Sequence, residues 1–98
     1  MKSIKITRNV GMNKGKARIW IEGKSLENAG WKRGDKFNTV FGDGFITYTK
    51  HADGKRAVAG TSTRPIIDTN TDKIRACVGA ETETVSISIE KTQITIKA

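Results

Sequence analysis

One cysteine, one proline and one histidine stand among the 98 residues, and each scarcity closes off a class of protein. With Cys77 alone, the chain can form neither an intrachain disulfide nor a thiolate zinc cluster, which suits a reducing compartment. His51 is the only imidazole, and no serine or cysteine stands in a nucleophile setting, so the usual constellation for acyl transfer or hydrolysis is missing. No apolar run is long enough to span a bilayer, and the opening MKSIKITRN carries a charge every few positions, unlike a signal peptide. There is no P-loop and no dinucleotide fingerprint. Asp68, Asn70 and Asp72 begin like a calcium loop, but the glycine and the distal glutamate that should follow are absent. These absences lead us to expect a soluble cytoplasmic protein with no cofactor, no bound metal and no enzymatic activity.

Threonine, isoleucine and glycine are prominent, a mix that suits strands and turns. Ser3–Arg8 alternates Ile4 and Ile6 with Lys5 and Thr7 and reads as a strand. Asn9–Lys16 has two glycines and two lysines without periodicity and reads as a flexible basic loop. Arg18–Ile21 alternates again. Ser25 is placed to cap a short helix through Leu26 and Ala29, with Gly30 ending it in a left-handed conformation. Phe37, Thr39 and Phe41 lead through Gly42-Asp43-Gly44 into a returning strand at Ile46 and Tyr48. His51–Thr63 is a polar connector, with room for a brief strand at residues 56–59. Pro65 stands at the start of a further strand, where its missing N–H is tolerated.

From there the pattern recurs at an offset of 48 positions. Ile19, Leu26 and Ala29 fall on Ile67, Ile74 and Cys77; Phe37, Thr39 and Phe41 fall on Val85, Ile87 and Ile89; Ile46 and Tyr48 fall on Ile94 and Ile96. A second short helix is expected over residues 72–78, with Thr71 as its cap and Gly79 as its stop, then a hairpin of residues 84–90 and 93–97. We therefore expect a single, mainly β domain. It is built from two β-α-β-β units, residues 18–50 and 64–98 joined by 51–63, that complete one small barrel-like core. Cys77, at the place of Ala29, and Trp31, after the helix stop, are expected in that core, whereas Trp20 lies on the strand face opposite Ile19 and Ile21.

Charge is distributed unevenly. Residues 1–33 carry nine Lys/Arg against two acids, a surplus of seven, while residues 34–98 carry nine against eight, a surplus of one. Such asymmetry favours a polyanionic partner, either nucleic acid or an acidic protein surface.

The residues Arg18-Ile19-Trp20-Ile21, Leu26 to Gly30, Lys32-Arg33-Gly34-Asp35, Asp43-Gly44 and Ile46-Thr47-Tyr48 together resemble the signature of the AbrB/MazE/SpoVT group of swapped-hairpin domains. The AGW-KRGD stretch is similar to that of the SymE-like branch, and the whole chain more faintly resembles small phage-borne domains found with DNA methyltransferases. The chain departs from the group in having Glu22-Gly23 where a proline usually follows the first strand, and Gly79–Glu83 where the second unit would need its basic turn. The resemblance implies interleaved hairpins, normally from two subunits; a tandem chain can supply both halves itself, so a pseudo-symmetric monomer or a homodimer is expected. It also implies DNA binding through cations near the first strand, which by position are Arg8, Lys14, Lys16, Arg18 and Lys24, with Lys32 and Arg33 in the tight turn. Trp20 adds an aromatic face on which a base can stack. We expect nucleic-acid binding, duplex DNA first. The alternative is a phage-type inhibitor of the anti-CRISPR kind, docking on an acidic surface of a host nuclease or defence complex.

Overall fold

Alternation in the sequence becomes two-sidedness in the structure, a computed structural model that describes residues 3–98. Met1 and Lys2, the latter one of the nine N-terminal cations, lie outside the described residues. The elements are β1 (Ile4–Asn9), β2 (Gly11–Asn13), β3 (Lys16–Glu22), α1 (Lys24–Asn28), β4 (Lys36–Phe41), β5 (Phe45–Lys50), β6 (Arg56–Ala57), β7 (Ala59–Thr61), β8 (Arg64–Asn70), α2 (Lys73–Val78), β9 (Thr84–Ile89) and β10 (Gln93–Lys97). They form two antiparallel sheets, one ordered β1-β9-β10-β5-β4-β6 and the other β2-β3-β8-β7. The fold is mainly β, as expected. It is not a closed barrel, because β1, β6, β2 and β7 are all sheet edges.

The 48-residue offset governs the pairing throughout. In the four-stranded sheet β3 pairs with β8 so that Trp20 faces Asp68, its own equivalent. In the six-stranded sheet β5 pairs with β10 so that Thr47 faces Thr95, again its own equivalent. A pseudo-twofold axis therefore runs through both positions. Around it the halves exchange strands. Arg8 on β1 faces Val85 on β9, and Arg56 on β6 faces Phe37 on β4. The backbone follows the same symmetry, with Val10 N–H donating to Glu83 O at 2.8 Å and Val58 N–H donating to Asp35 O at 2.9 Å.

Four expectations need correction here. Residues 9–16 are not a flexible loop: β2 pairs with β3, Gly11 opposite Arg18, and the turn lies at Lys14-Gly15. Residues 51–63 do not merely connect, since β6 and β7 are the counterparts of β1 and β2, so each half is a β-β-β-α-β-β unit. Ser25 does not cap α1 either. Gly23 occupies the cap position and no side chain bonds there. Thr71 stands one residue ahead of the α2 cap, Asp72, and its hydroxyl accepts the Lys73 N–H at 3.3 Å. The helix stops fall as expected at Gly30 and Gly79, both with positive φ.

One apolar cluster fills the space between the sheets and spans both halves. Ile19, Ile21 and Ile67 come from the small sheet, and Ile46, Ile87, Ile89, Ile94 and Ile96 from the large one. Leu26, Ile74, Cys77 and Val78 are added by the helices. Trp31 is fully buried as expected, its indole N–H donating to Glu90 O at 2.7 Å and its ring meeting Phe37 edge-on at 5.9 Å. Cys77 is buried too, and that burial, with Asp43 adding a smaller effect, pushes its thiol pKa up. A thiol so placed is a small core side chain with little thiolate.

The crossing of β6 over β4 is tight. A Cβ at Gly54 would lie 2.5 Å from the backbone nitrogen of Phe37. Gly54→Ala is expected to destabilise the protein by about 1–3 kcal/mol, the usual cost of overpacking. A denaturant midpoint equal to that of the unsubstituted chain would contradict this account of the crossing.

Candidate functional site

Strands β3 and β8 turn Lys16, Arg18, Trp20 and Glu22, and Arg64, Ile66, Asp68 and Asn70, away from the core, because Ala17, Ile19, Ile21, Pro65, Ile67 and Thr69 alternate with them and are buried. At the centre of this outer face Arg18 donates Nε–H to Asp68 Oδ1 at 2.9 Å and Nη2–H to Oδ2 at 3.0 Å. The same guanidinium lies 4.3 Å over the Trp20 ring. A planar fork gripped by a carboxylate and stacked on an indole has little rotamer freedom left, so Trp20 is held half-exposed on the pseudo-twofold axis. Arg64 pairs with Glu22 at 3.0 Å farther along the face. The Asn70 amide donates to Lys16 O and Ala17 O at 3.2 and 3.0 Å, fixing the β2–β3 hairpin to the sheet.

The structure divides the expected site residues. Lys14 and Lys16 stand at the exposed tip and base of the hairpin, beside Arg18 and Trp20, and Lys14 takes a left-handed φ of 54°. Lys24 lies beyond the other end of β3, roughly 20 Å away at a strand's rise per residue. Lys32 and Arg33 are also at that far end. Their turn donates Gly34 N–H to Val58 O at 2.9 Å, and Val58 adjoins β7, whose Ala59 faces Ile66 opposite Glu22. Within the turn Lys32 approaches Asp35 at 3.8 Å, while Arg33 has no carboxylate within ion-pair distance. Arg8 is half-buried on β1, on the edge of the large sheet, and bonds only the carbonyl of Thr7, at 3.2 Å. The nine-to-two surplus of the first 33 residues is therefore spread over both ends of the small sheet, with Asp68 of the second half neutralising Arg18 at its middle.

Sequence reasoning missed a second polar cluster. Arg56, the equivalent of Arg8, is half-buried between the sheets. Its Nη1–H donates to Thr39 Oγ1 and Thr69 Oγ1 at 3.2 and 3.1 Å, and its Nη2–H to Asp68 O at 2.7 Å. It also lies 5.1 Å over Phe37 and 5.6 Å over Tyr48. The Tyr48 hydroxyl bonds Thr69 Oγ1 inside the core. The matching pair in the other half, Ile96 and Ile21, is apolar and buried. The shared offset of Arg8 and Arg56 was the available signal, since arginine recurs there beside a recurring valine, Val10 and Val58.

Burial raises the pKa of Tyr48, with the Thr69 hydrogen bond and the Arg56 charge opposing the rise more weakly. The neutral phenol is thus favoured by folding. Its contribution to stability is full below the unfolded phenol's pKa, near 10, and is lost as pH climbs through the higher folded value. Unfolding free energy is expected to fall above pH 10. Tyr48→Phe should remove this part of the alkaline slope in a series of denaturant titrations.

The grip of Asp68 on Arg18 is partly exposed, so it contributes to order more than to stability. Asp68→Asn should leave the thermal midpoint little changed while increasing quenching of tryptophan fluorescence by iodide. Trp31 is buried, so that signal comes from Trp20. Unaltered quenching would mean that Arg18 does not hold the indole.

No protein-family model, no curated protein and no solved structure matches this chain.

Proposed function

We propose that this protein binds nucleic acid, duplex DNA first, through the β2–β3 hairpin and the adjoining outer face of the four-stranded sheet. The observation that carries the reading is the hairpin itself. Residues 11–16 contain Lys14 and Lys16 and no acid, both lysines are exposed, and neither has an ion-pair partner. Such a projection offers unneutralised cations to phosphates, and Gly15 at its tip lets backbone approach backbone. Beside it, Trp20 and Arg18 present a fixed aromatic and guanidinium surface, suited to contact with a base edge or sugar. Lys24, Lys32 and Arg33 take no part in this contact and serve a long duplex only if it runs the length of β3. The binding unit in this proposal is one chain acting as a pseudo-symmetric monomer in the cytoplasm.

A second reading is supported by the far end of the sheet. That end exposes Lys24, Lys32 and Arg33, and at Lys24 and Arg33 the twofold mates are the acids Asp72 and Glu81. That polarity suits docking on an acidic protein surface, as an inhibitor of a nuclease or defence complex would need.

A gel-shift titration across rising salt separates these readings. Each phosphate contact contributes close to one unit to the slope of log K against log salt. The double variant Lys14→Gln, Lys16→Gln is expected to lower that slope by roughly two, and Lys24→Gln to leave it nearly unchanged. Sedimentation of the same mixtures should show one chain per occupied site. Absence of binding to duplex and single-stranded nucleic acid at low salt would overturn the proposal. Nuclease-resistant capture of a single acidic partner would then favour the second reading.

A further inference from the structure

The pseudo-twofold axis generates two equivalent crevices where a strand of the large sheet passes the small one, and the two have been finished differently. In one, the positions Ile87, Ile89 and Ile21 are all fully buried. In the other the equivalent positions are Thr39, Phe41 and Thr69. Thr39 and Phe41 stay half-exposed, and an open groove remains, lined also by Arg56, Thr71 and Lys73. The fold does not impose this groove, because its mate is filled.

Arg56 at the back of the groove is a half-buried cation without a counter-ion. Its hydrogen bonds go to two hydroxyls and a carbonyl, its faces to Phe37 and Tyr48, and no carboxylate comes within ion-pair distance. The nearest acid on the groove wall, Asp68, has both oxygens committed to Arg18. Partly desolvated charges in proteins are ordinarily paired. From the opposite wall Lys73 brings a second cation, 5.4 Å over the Phe41 ring, and it too has no ion-pair partner. Thr39 and Thr71 also line the groove, the Thr39 hydroxyl accepting from Arg56 at 3.2 Å and the Thr71 hydroxyl accepting the Lys73 N–H at 3.3 Å.

We propose that this groove is an anion site that takes one phosphate group, held between Arg56 and Lys73 with the threonine hydroxyls as further donors. Arg56 supplies the planar fork suited to two phosphate oxygens, and Lys73 a mobile point charge at the rim. Phe41 gives an apolar floor against which the group carrying the phosphate rests. The phosphate belongs either to a small phosphate monoester or to the end of a nucleic-acid strand. The groove adjoins the base of the β2–β3 hairpin, since Asn70 in its lining bonds Lys16 O and Ala17 O, but neither the Lys14 nor the Lys16 side chain lines it.

The test is a two-dimensional NMR titration of the full chain with inorganic phosphate, at ionic strength held constant with chloride. Saturable shifts are expected at Thr39, Phe41, Arg56, Thr71 and Lys73, with Ile87 and Ile89 of the mate crevice unmoved. Lys73 is exposed, so Lys73→Gln should fold normally and weaken phosphate binding about tenfold, the size of one lost charge-assisted hydrogen bond. Lys14→Gln with Lys16→Gln should leave it unchanged, which keeps this result separate from the hairpin's. A 5′-phosphorylated dinucleotide that binds more tightly than a nucleoside monophosphate points to a strand end, and equal binding points to a small monoester. Shifts scattered over lysines across the surface, no shifts into the millimolar range, or an affinity indifferent to Lys73→Gln would each overturn the assignment.

Discussion

The exchange of strands across the pseudo-twofold axis is the constraint from which the other features follow. β1 leaves the first half to pair with β9, β6 leaves the second to pair with β4, and β5 joins β10 at the axis. A strand register has period two, so a slip of one residue would turn every buried side chain of that strand outward. Here the registers of both sheets must satisfy one offset together, since Trp20 faces Asp68 in one and Thr47 faces Thr95 in the other. A slip in either sheet would break the common axis. Most of the strand-to-strand contact in this fold therefore joins residues far apart in sequence, a topology associated with slow folding.

Symmetry of backbone leaves side chains free to differ, and the differences fall at the crevices. Where Ile21 and Ile96 meet, the core continues and nothing polar needs a partner. Where Thr69 and Tyr48 meet, two hydroxyls enter the core and must be satisfied, by each other and by Arg56. Among the described residues no buried side-chain nitrogen or oxygen is left without a partner. A satisfied polar cluster of this kind gives less stability than the isoleucines that replace it across the axis. Its presence on one side only makes it a feature of this sequence and not of the architecture.

Much of the fold was legible because β strands with one wet face announce their period. β3, β4, β5, β8, β9 and β10 each alternate, and the helices between them stop at glycines with positive φ. β2 and β7 were not legible: Gly11, Met12 and Asn13, like Ala59, Gly60 and Thr61, carry no apolar alternation, since each is a short edge strand with little to bury. β6 falls inside the brief strand expected at residues 56–59, but its likeness to β1 was obscured, because Gly54 stands where β1 has Ile6 and the strand is cut to two residues. The barrel expectation failed for a related reason. Closure needs long edge strands that can meet, and these edges are short or differ in length.

The candidate site was legible as a list of cations but not as a surface, and the cause is the position of β3. A run of charge at the start of a chain forms one patch only if that segment lies along one side of the molecule. Here β3 is an inner strand of its sheet, with β2 on one flank and β8 on the other. Its two ends therefore carry Lys14 and Lys16 one way and Lys24 the other, while the neighbouring strand delivers Asp68 against Arg18 in between. The partner strand is set by long-range pairing, which no local pattern in residues 1–33 encodes. Electrostatic surplus counted along the sequence thus bears on the net charge the molecule presents, whereas the place where that charge lies is fixed by which strand lies beside β3.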